Sequence, residues 1–237
     1  MSDPEAELLS RVPVEGARAL REVVDLLAAD EHAPTTVRDP QEAWRTHVLD
    51  SLSGLEVPEL VAAERIADVG AGAGFPGLAL AAALPGAHVD LIESSARKCE
   101  FMRVALSHAR IDNARVVCAR AEEYGAARPP AGGRESVQAV TARAVGRLST
   151  LAELASPLLA EGGVLVAWKG RRDPEEEAEA ARAAPELAMD PGPVRPMGGG
   201  PAGFQHRHLY VFAKSGPTPS RLPRRSGMAK KRPLGAA

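Results

Sequence analysis

The stretch "IADVGAGAGFPGLAL", Ile66 to Leu80, decides how the rest of the chain is read. An apolar, strand-like start runs into Gly70, Gly72, Gly74 and Gly77, and the chain continues as a run of small helix formers. Gly72 to Gly77 spells G-x-G-x-x-G, and lacking Cβ atoms such a loop can turn tightly and let backbone approach a ligand. A glycine turn that only packs a helix on a strand is the competing reading. The strand before it and the helix after it weaken that competitor. Asp68 stands just ahead of the glycines, where a pyrophosphate would lie.

Outward from this stretch, strands and helices alternate. "AHVDLIES", "ARVVCAR", "VQAVTARAV", "VLVAWKG" and "RHLYVFAK" read as further strands. "ARKCEFMRVALSHAR", "LSTLAELASPLLA" and the segment opened by Asp173-Pro174 read as helices, with Glu175, Glu176 and Glu177 as helix-start chemistry favoured by the dipole. The alternation predicts an α/β fold, a mostly parallel twisted sheet with helices on both faces. Upstream, residues 14–30 have helical apolar spacing. In "RDPQEAWRTHVLDSL", Asp39 is placed to cap a helix, with Pro40 at its first position and Glu42 three residues after the cap. Residues 1–60 therefore read as a small N-terminal helical unit, 61–215 as the ligand-binding domain and 216–237 as a basic, flexible tail.

Hydrophobic residues make up 45% of the 237 and charged ones 25%, the balance of a soluble globular chain. No apolar run reaches membrane-spanning length, and the acidic start "MSDPEAELLS" lacks the apolar core of a signal peptide. Cys99 and Cys118 form no C-x-x-C pair. These features predict a reduced, cytoplasmic protein with no membrane partner and no metal. The net charge of -2 hides an asymmetry: residues 216–237 carry six basic and no acidic side chains, leaving 23 basic against 31 acidic elsewhere. A tail of that kind suggests an anionic partner, and an aromatic content of 3% directs any nucleic-acid binding toward phosphates.

Asp68 separates two classes of ligand. A carboxylate at this point opposes a bound pyrophosphate but suits an ammonium group. Glu93, at the end of the second strand, is placed to accept hydrogen bonds from both hydroxyls of a ribose. A ribose, a cationic amino group and no phosphate describe S-adenosylmethionine, with Asp68, Gly72, Gly74 and Glu93 as its candidate contacts. The fold class is then that of the Rossmann-like class I S-adenosylmethionine-dependent methyltransferases. An NAD-dependent oxidoreductase keeps Glu93 but leaves Asp68 unexplained. A non-catalytic RNA-binding protein on the same fold would use the basic tail.

Among methyl acceptors, exocyclic amines lose their usual signature, because "TARAVGRL" stands where an Asn/Asp-Pro-Pro-aromatic motif is expected. Pyrimidine C5 needs a thiolate nucleophile, and neither cysteine is in the usual place, so both read as small buried residues. An acceptor that is already nucleophilic, such as guanine N7, needs no base. Catalysis is then positioning, and no catalytic residue is assigned.

In order along the chain, "VRDPQEAWRTHVLDSL", "DVGAGAGFPGLAL", "ARAEEY", "ARAV", "VAWKG", "RHLYVFAK" and "PRRSGMAKKRPL" resemble the RsmG (GidB) family, whose members methylate N7 of a guanosine in 16S ribosomal RNA. The resemblance implies that Gly70 and Phe75 touch the cofactor, that Ala121 and Glu122 read its adenine end, and that Arg143 belongs to the same site. It also implies 16S rRNA or the small ribosomal subunit as partner. Arg38, Arg45, His47, Lys169 and Arg207 match polar family positions around the cleft, and Arg224, Arg225, Lys230 and Lys231 lie in the matching tail. These are the candidates for holding RNA. His47 reads equally as a packing residue of the N-terminal unit, and Arg45 as a solvated helix residue. Residues 33–36, Ala-Pro-Thr-Thr, depart from the family's Asn-Leu-Thr, and "RPMGGGPAGFQ" before Arg207 reads as a lid or a long loop.

Overall fold

The computed structural model describes residues 4–197 and 206–236, so most of the Gly/Pro-rich stretch before Arg207 lies outside the described residues. The N-terminal part comprises α1 (Pro4–Ser10) and α2 (Val14–Ala29), then a continuous helical stretch of α3 (Pro40–Ala43), a π-helical segment Trp44–Leu49, α4 (Asp50–Leu52) and a 3-10 turn Ser53–Glu56, and finally α5 (Pro58–Val61). Asp39 caps α3 as its spacing predicts, accepting from the Glu42 amide at 2.8 Å. There follow β1 (Arg65–Val69), α6 (Gly77–Ala83), β2 (His88–Glu93), α7 (Ala96–Ala109), β3 (Ala114–Cys118), α8 (Ala121–Tyr124) and β4 (Val137–Arg143). The chain ends with α9 (Leu148–Ala155), β5 (Leu159–Lys169), α10 (Pro174–Ala183), β6 (Met189–Pro196), β7 (His208–Lys214) and α11 (Met228–Lys231).

The seven strands form one sheet in the order β3-β2-β1-β4-β5-β7-β6. Neighbours from β3 through β5 are parallel, while β7 runs antiparallel to both β5 and β6. Strand order reverses between β1 and β4, and the glycine loop leaves β1 at that switch point, where such sheets bind ligands. One face is covered by α2, α6 and α7 over a core that includes Leu20, Val23, Leu78, Val89, Met102 and Trp168. The other is covered by α9 and α10 over Val140, Leu151, Leu165 and Phe212. The N-terminal helices share the first core, so they are continuous with the sheet rather than appended to it.

Three expectations need correction. β6 carries prolines at 191, 193 and 196, which no strand reading of the sequence favours. It exists because it is an edge strand with one partner, where a missing N–H can face away from the ladder. Cys118 is exposed, not buried; Cys99 alone is a small core residue. Residues 216–236 are not a loose tail. Leu222 and Ala229 are buried, and the buried Glu153 of α9 takes both charged arms of Arg224, at 2.6 and 2.5 Å. Two apolar anchors and a paired cation are sparse in the sequence, yet they suffice to dock the segment on a surface already built.

α2 packs against the C-terminal end of α6 through a close backbone approach. A Cβ on Gly16 of α2 would come within 2.1 Å of the Ala82 carbonyl oxygen in α6, so only glycine permits this contact. Gly16→Ala gains up to about 1 kcal/mol of helix propensity. Backbone cannot yield cheaply here, and a net loss of about 1–3 kcal/mol in denaturant unfolding is expected; an unchanged or raised midpoint would contradict the packing.

Candidate functional site

The glycine loop is pinned from beneath. The amides of Gly70 and Ala71 both donate to the Ile92 carbonyl, at 2.9 and 3.0 Å, and Gly70, Gly72 and Gly74 have φ of 69°, 61° and 101°. Only glycine adopts such angles at little cost. Gly77 opens α6 so close to the sheet that an added Cβ would lie 2.2 Å from Leu91 Cδ2 of β2 and 2.9 Å from Asp68 Oδ2 of β1. Its amide donates to Asp68 Oδ2 at 2.9 Å, and Thr141 Oγ1 of β4 donates to Asp68 Oδ1 at 2.9 Å.

Asp68 is therefore sealed. It has no exposed surface, and burial pushes its carboxyl up to about 6, against the two hydrogen bonds that pull it down. Both oxygens are turned inward, where they join β1, β4 and the start of α6, so we propose that Asp68 supports the loop in place of the ammonium contact expected from the sequence.

Beside the loop lies a cavity of about 110 Å³ lined by Gly70, Ile92, Glu93, Ser94, Ala121, Glu122, Val145 and Leu154. Glu93 accepts from the Gly72 amide at 3.2 Å and the Ser95 amide at 2.8 Å. Ser94 Oγ adds a longer bond at 3.5 Å; a carboxylate has about four acceptor positions, so one remains for a hydroxyl of a ligand. Ala144, at φ 58°, makes the turn that follows Arg143 and precedes Val145. Strain of this kind collects at functional sites.

A second cluster flanks the loop through Phe75. Its ring stacks on His47 at 5.3 Å and 18°, and the Arg143 guanidinium carbon lies 6.0 Å from the ring centre. Arg143 donates to Asp50 Oδ2 at 2.7 Å and to the Thr46 carbonyl at 3.0 Å. Arg207 approaches the other oxygen of Asp50 at 3.4 Å. The Trp168 indole closes the base of the cluster by donating to the Asp50 carbonyl at 2.8 Å and to Ser53 Oγ at 3.1 Å. Asp50 is wholly buried, and sequence reading missed it because its cationic partners lie far along the chain. The π-helical segment offsets His47 from the regular α-helical phase in which its side chain would turn away from the core.

The structure thus groups Gly70, Glu93, Ala121 and Glu122 around one cavity, and Phe75, His47, Arg143 and Arg207 around Asp50. Arg38 instead donates to the carbonyls of Asp30 and Glu31, at 2.5 and 2.9 Å, closing the turn after α2. Lys169 is held by Glu176 at 2.6 Å and the Gly146 carbonyl at 3.0 Å, so Glu176 does more than start its helix. Arg45, Arg225, Lys230 and Lys231 are exposed. Among the described residues no group of acidic, histidine or cysteine side chains could hold a metal, and no helix is long and apolar enough to cross a membrane.

Burial, helped by the Arg143 charge, lowers His47 to about 4. The ring is neutral at pH 7, and the unfolded chain takes up the proton first as pH falls. This group therefore removes stability between about 6.5 and about 4. A proton NMR titration of His47 should show a midpoint near 4, rising in Arg143→Gln; a midpoint near 6.5 would contradict the buried stack.

With this geometry in place, comparison with known proteins gives one answer. The "rRNA small subunit methyltransferase G" (GidB) family matches residues 19–191. The ribosomal RNA small subunit methyltransferase G of Desulfitobacterium hafniense is 37% identical over 200 residues, covering 84% of this chain and 81% of that one. Its namesake from Rubrobacter xylanophilus is 39% identical over 228 residues, covering 91% and 82%. Among solved structures, the methyltransferase SibL aligns with a TM-score of 0.57 at 15% identity, over 90% of this chain and 73% of that one. The Methanococcus jannaschii fibrillarin pre-rRNA processing protein aligns with 0.55 at 17%, over 71% and 74%. Those two likenesses establish the Rossmann-like class I methyltransferase fold. The family match and the identity of its relatives go further: the chain belongs to the rRNA small subunit methyltransferase G (GidB) family.

Proposed function

We propose that the chain binds S-adenosylmethionine between the glycine loop and the Glu93–Glu122 cavity and methylates N7 of a guanosine in 16S rRNA, working in the cytoplasm on the free RNA or the small subunit. The observation that carries this reading is a family match coinciding with a cleft whose histidine and whose loop carboxylate, Asp68, are unsuited to taking a proton. His47 is too weakly basic to take a proton at neutral pH, and Asp68 has no surface to offer. That suits an acceptor whose lone pair needs no deprotonation.

The residues present fit the proposed cofactor. The cavity has apolar walls at Ile92, Val145 and Leu154 for a flat ring, and Glu93 at its mouth for a ribose hydroxyl. When bound, S-adenosylmethionine would supply a methyl group on a sulfonium, which a neutral nucleophile can take as the C–S bond breaks and its electron pair stays on the thioether of S-adenosylhomocysteine. The chain's own work is then to hold and orient. Positive φ at Gly70 and Gly72 brings backbone close to the ligand. Phe75, buried and stacked on His47, holds the loop's edge in place, and Asp50 fixes the Arg143 guanidinium beside that ring. In this reading the exposed cations Arg45, Arg225, Lys230 and Lys231 meet phosphates, each contact adding roughly 0.7–0.9 to the salt slope of binding. The glycine loop and Glu93 would also suit a dinucleotide; the family match, and not the cleft, decides against a hydride-transferring enzyme.

Tritiated methyl transfer to small-subunit rRNA followed by nucleoside analysis tests the reading. The label is expected in 7-methylguanosine; label in another nucleoside, or none, would overturn it. Single-turnover rates should be nearly flat from about pH 6.5 to 9, because no catalytic group titrates there. A unit-slope rise lost in His47→Gln would show instead that a base takes part.

A further inference from the structure

The docked C-terminal segment touches both helices that wall the cavity. Glu122 of α8 and Leu154 of α9 line it. The Gly227 amide donates to Glu122 Oε1 at 2.7 Å, and Ser226 Oγ donates to Glu123 Oε1 at 3.2 Å. Beside Leu154, the buried carboxylate of Glu153 takes Arg224 through two hydrogen bonds, and Thr150 of α9 donates to the Ala229 carbonyl at 3.1 Å. Arg224 also donates to the Arg232 carbonyl at 2.8 Å, which closes residues 224–232 into a loop on itself. Gly227 has φ of 84°, the left-handed conformation that glycine supplies at least cost as the N–H is delivered to Glu122.

We propose that residues 218–232 are a strap belonging to the cofactor site: by clamping α8 to α9 they hold the wall formed by Glu122 and Leu154, so strap docking sets the affinity for S-adenosylmethionine. The proposal rests on the cofactor reading above and deepens it. Glu122, whose Oε1 receives the Gly227 amide, acts here as part of a held wall, with the strap as its support. Arg224 is a positioning residue. Its loss leaves Glu153 buried and unpaired, which releases the strap from α9. Coupling of this kind is reciprocal: if the strap tightens the cofactor site, bound cofactor must tighten the strap.

The test uses the full chain. Arg224→Gln is expected to bind S-adenosylmethionine about five- to tenfold more weakly in calorimetry, the lower part of the range for coupling between two sites. KM for the cofactor should rise in step, while kcat at saturating cofactor and saturating RNA stays within about twofold, a split that general loss of structure would not produce. Arg224→Lys should recover part of the affinity. Cofactor affinity in Arg224→Gln equal to the wild type overturns the proposal. Hydrogen exchange on the wild-type chain covers a variant that fails to fold: saturating cofactor should slow exchange of the amides from 226 to 229, and unchanged exchange there overturns the strap. A wild-type chain that gives no binding heat with S-adenosylmethionine overturns the cofactor reading itself, an outcome distinct from a strap that is irrelevant to binding.

Discussion

Asp68 receives one hydrogen bond from the first turn of α6 and one from Thr141 of β4, and the geometry of the cleft depends on that pair of contacts. The residue sits on β1, so its side chain joins three elements where the strand order reverses. Burial alone would favour the neutral acid, and the pull of the Gly77 amide and the Thr141 hydroxyl opposes it. A carboxylate left there without partners would cost about 1–3 kcal/mol or more, so the loop and β4 are held to their places by the penalty of leaving them. Gly77 is part of the same constraint, because a Cβ would stand within 2.9 Å of Asp68 Oδ2.

A second buried carboxylate organises the opposite flank. Asp50 takes Arg143 from β4 and Arg207 from the start of the last strand, and its own carbonyl receives the Trp168 indole of β5. Two guanidiniums on one buried acid leave the cluster with net positive character beside the Phe75 ring. The N-terminal helices are thus a wall of the cleft. Their apolar faces pack on α6 and α7, and their π-helical segment delivers His47 and Asp50 to the sheet's carboxyl edge. Around one loop the fold provides a small cavity with apolar walls on one side and a fixed cation on the other.

The sequence makes the local features readable and the long-range ones obscure. The strand-loop-helix around Ile66–Leu80, the capped helix at Asp39 and the six strands with apolar runs follow from spacing over a few residues. β6 escaped because its three prolines argue against a strand, and only its edge position makes them tolerable. Asp68 was visible as a residue but not as a role, since Thr141 lies 73 residues away and nothing local shows that it comes to meet the carboxylate. Asp50 and Glu153 were invisible for the same reason, their partners being 93 and 71 residues distant. Composition assigned the C-terminal segment to solvent. Two buried apolar side chains and one matched charge were enough to reverse that, because the surface receiving them was already complete.

The central claim is that Asp68 serves the protein's own architecture and does not touch the ligand's amino group. Calorimetric titration of the wild type and Asp68→Asn with S-adenosylmethionine, and with an analogue lacking only the amino group, separates the two roles. If the carboxylate acts through α6 and β4, the substitution lowers affinity for both ligands by the same factor, with a coupling below about 0.5 kcal/mol. A coupling above about 1 kcal/mol, with the loss confined to the ligand that carries the ammonium, would contradict this account and return Asp68 to the ligand.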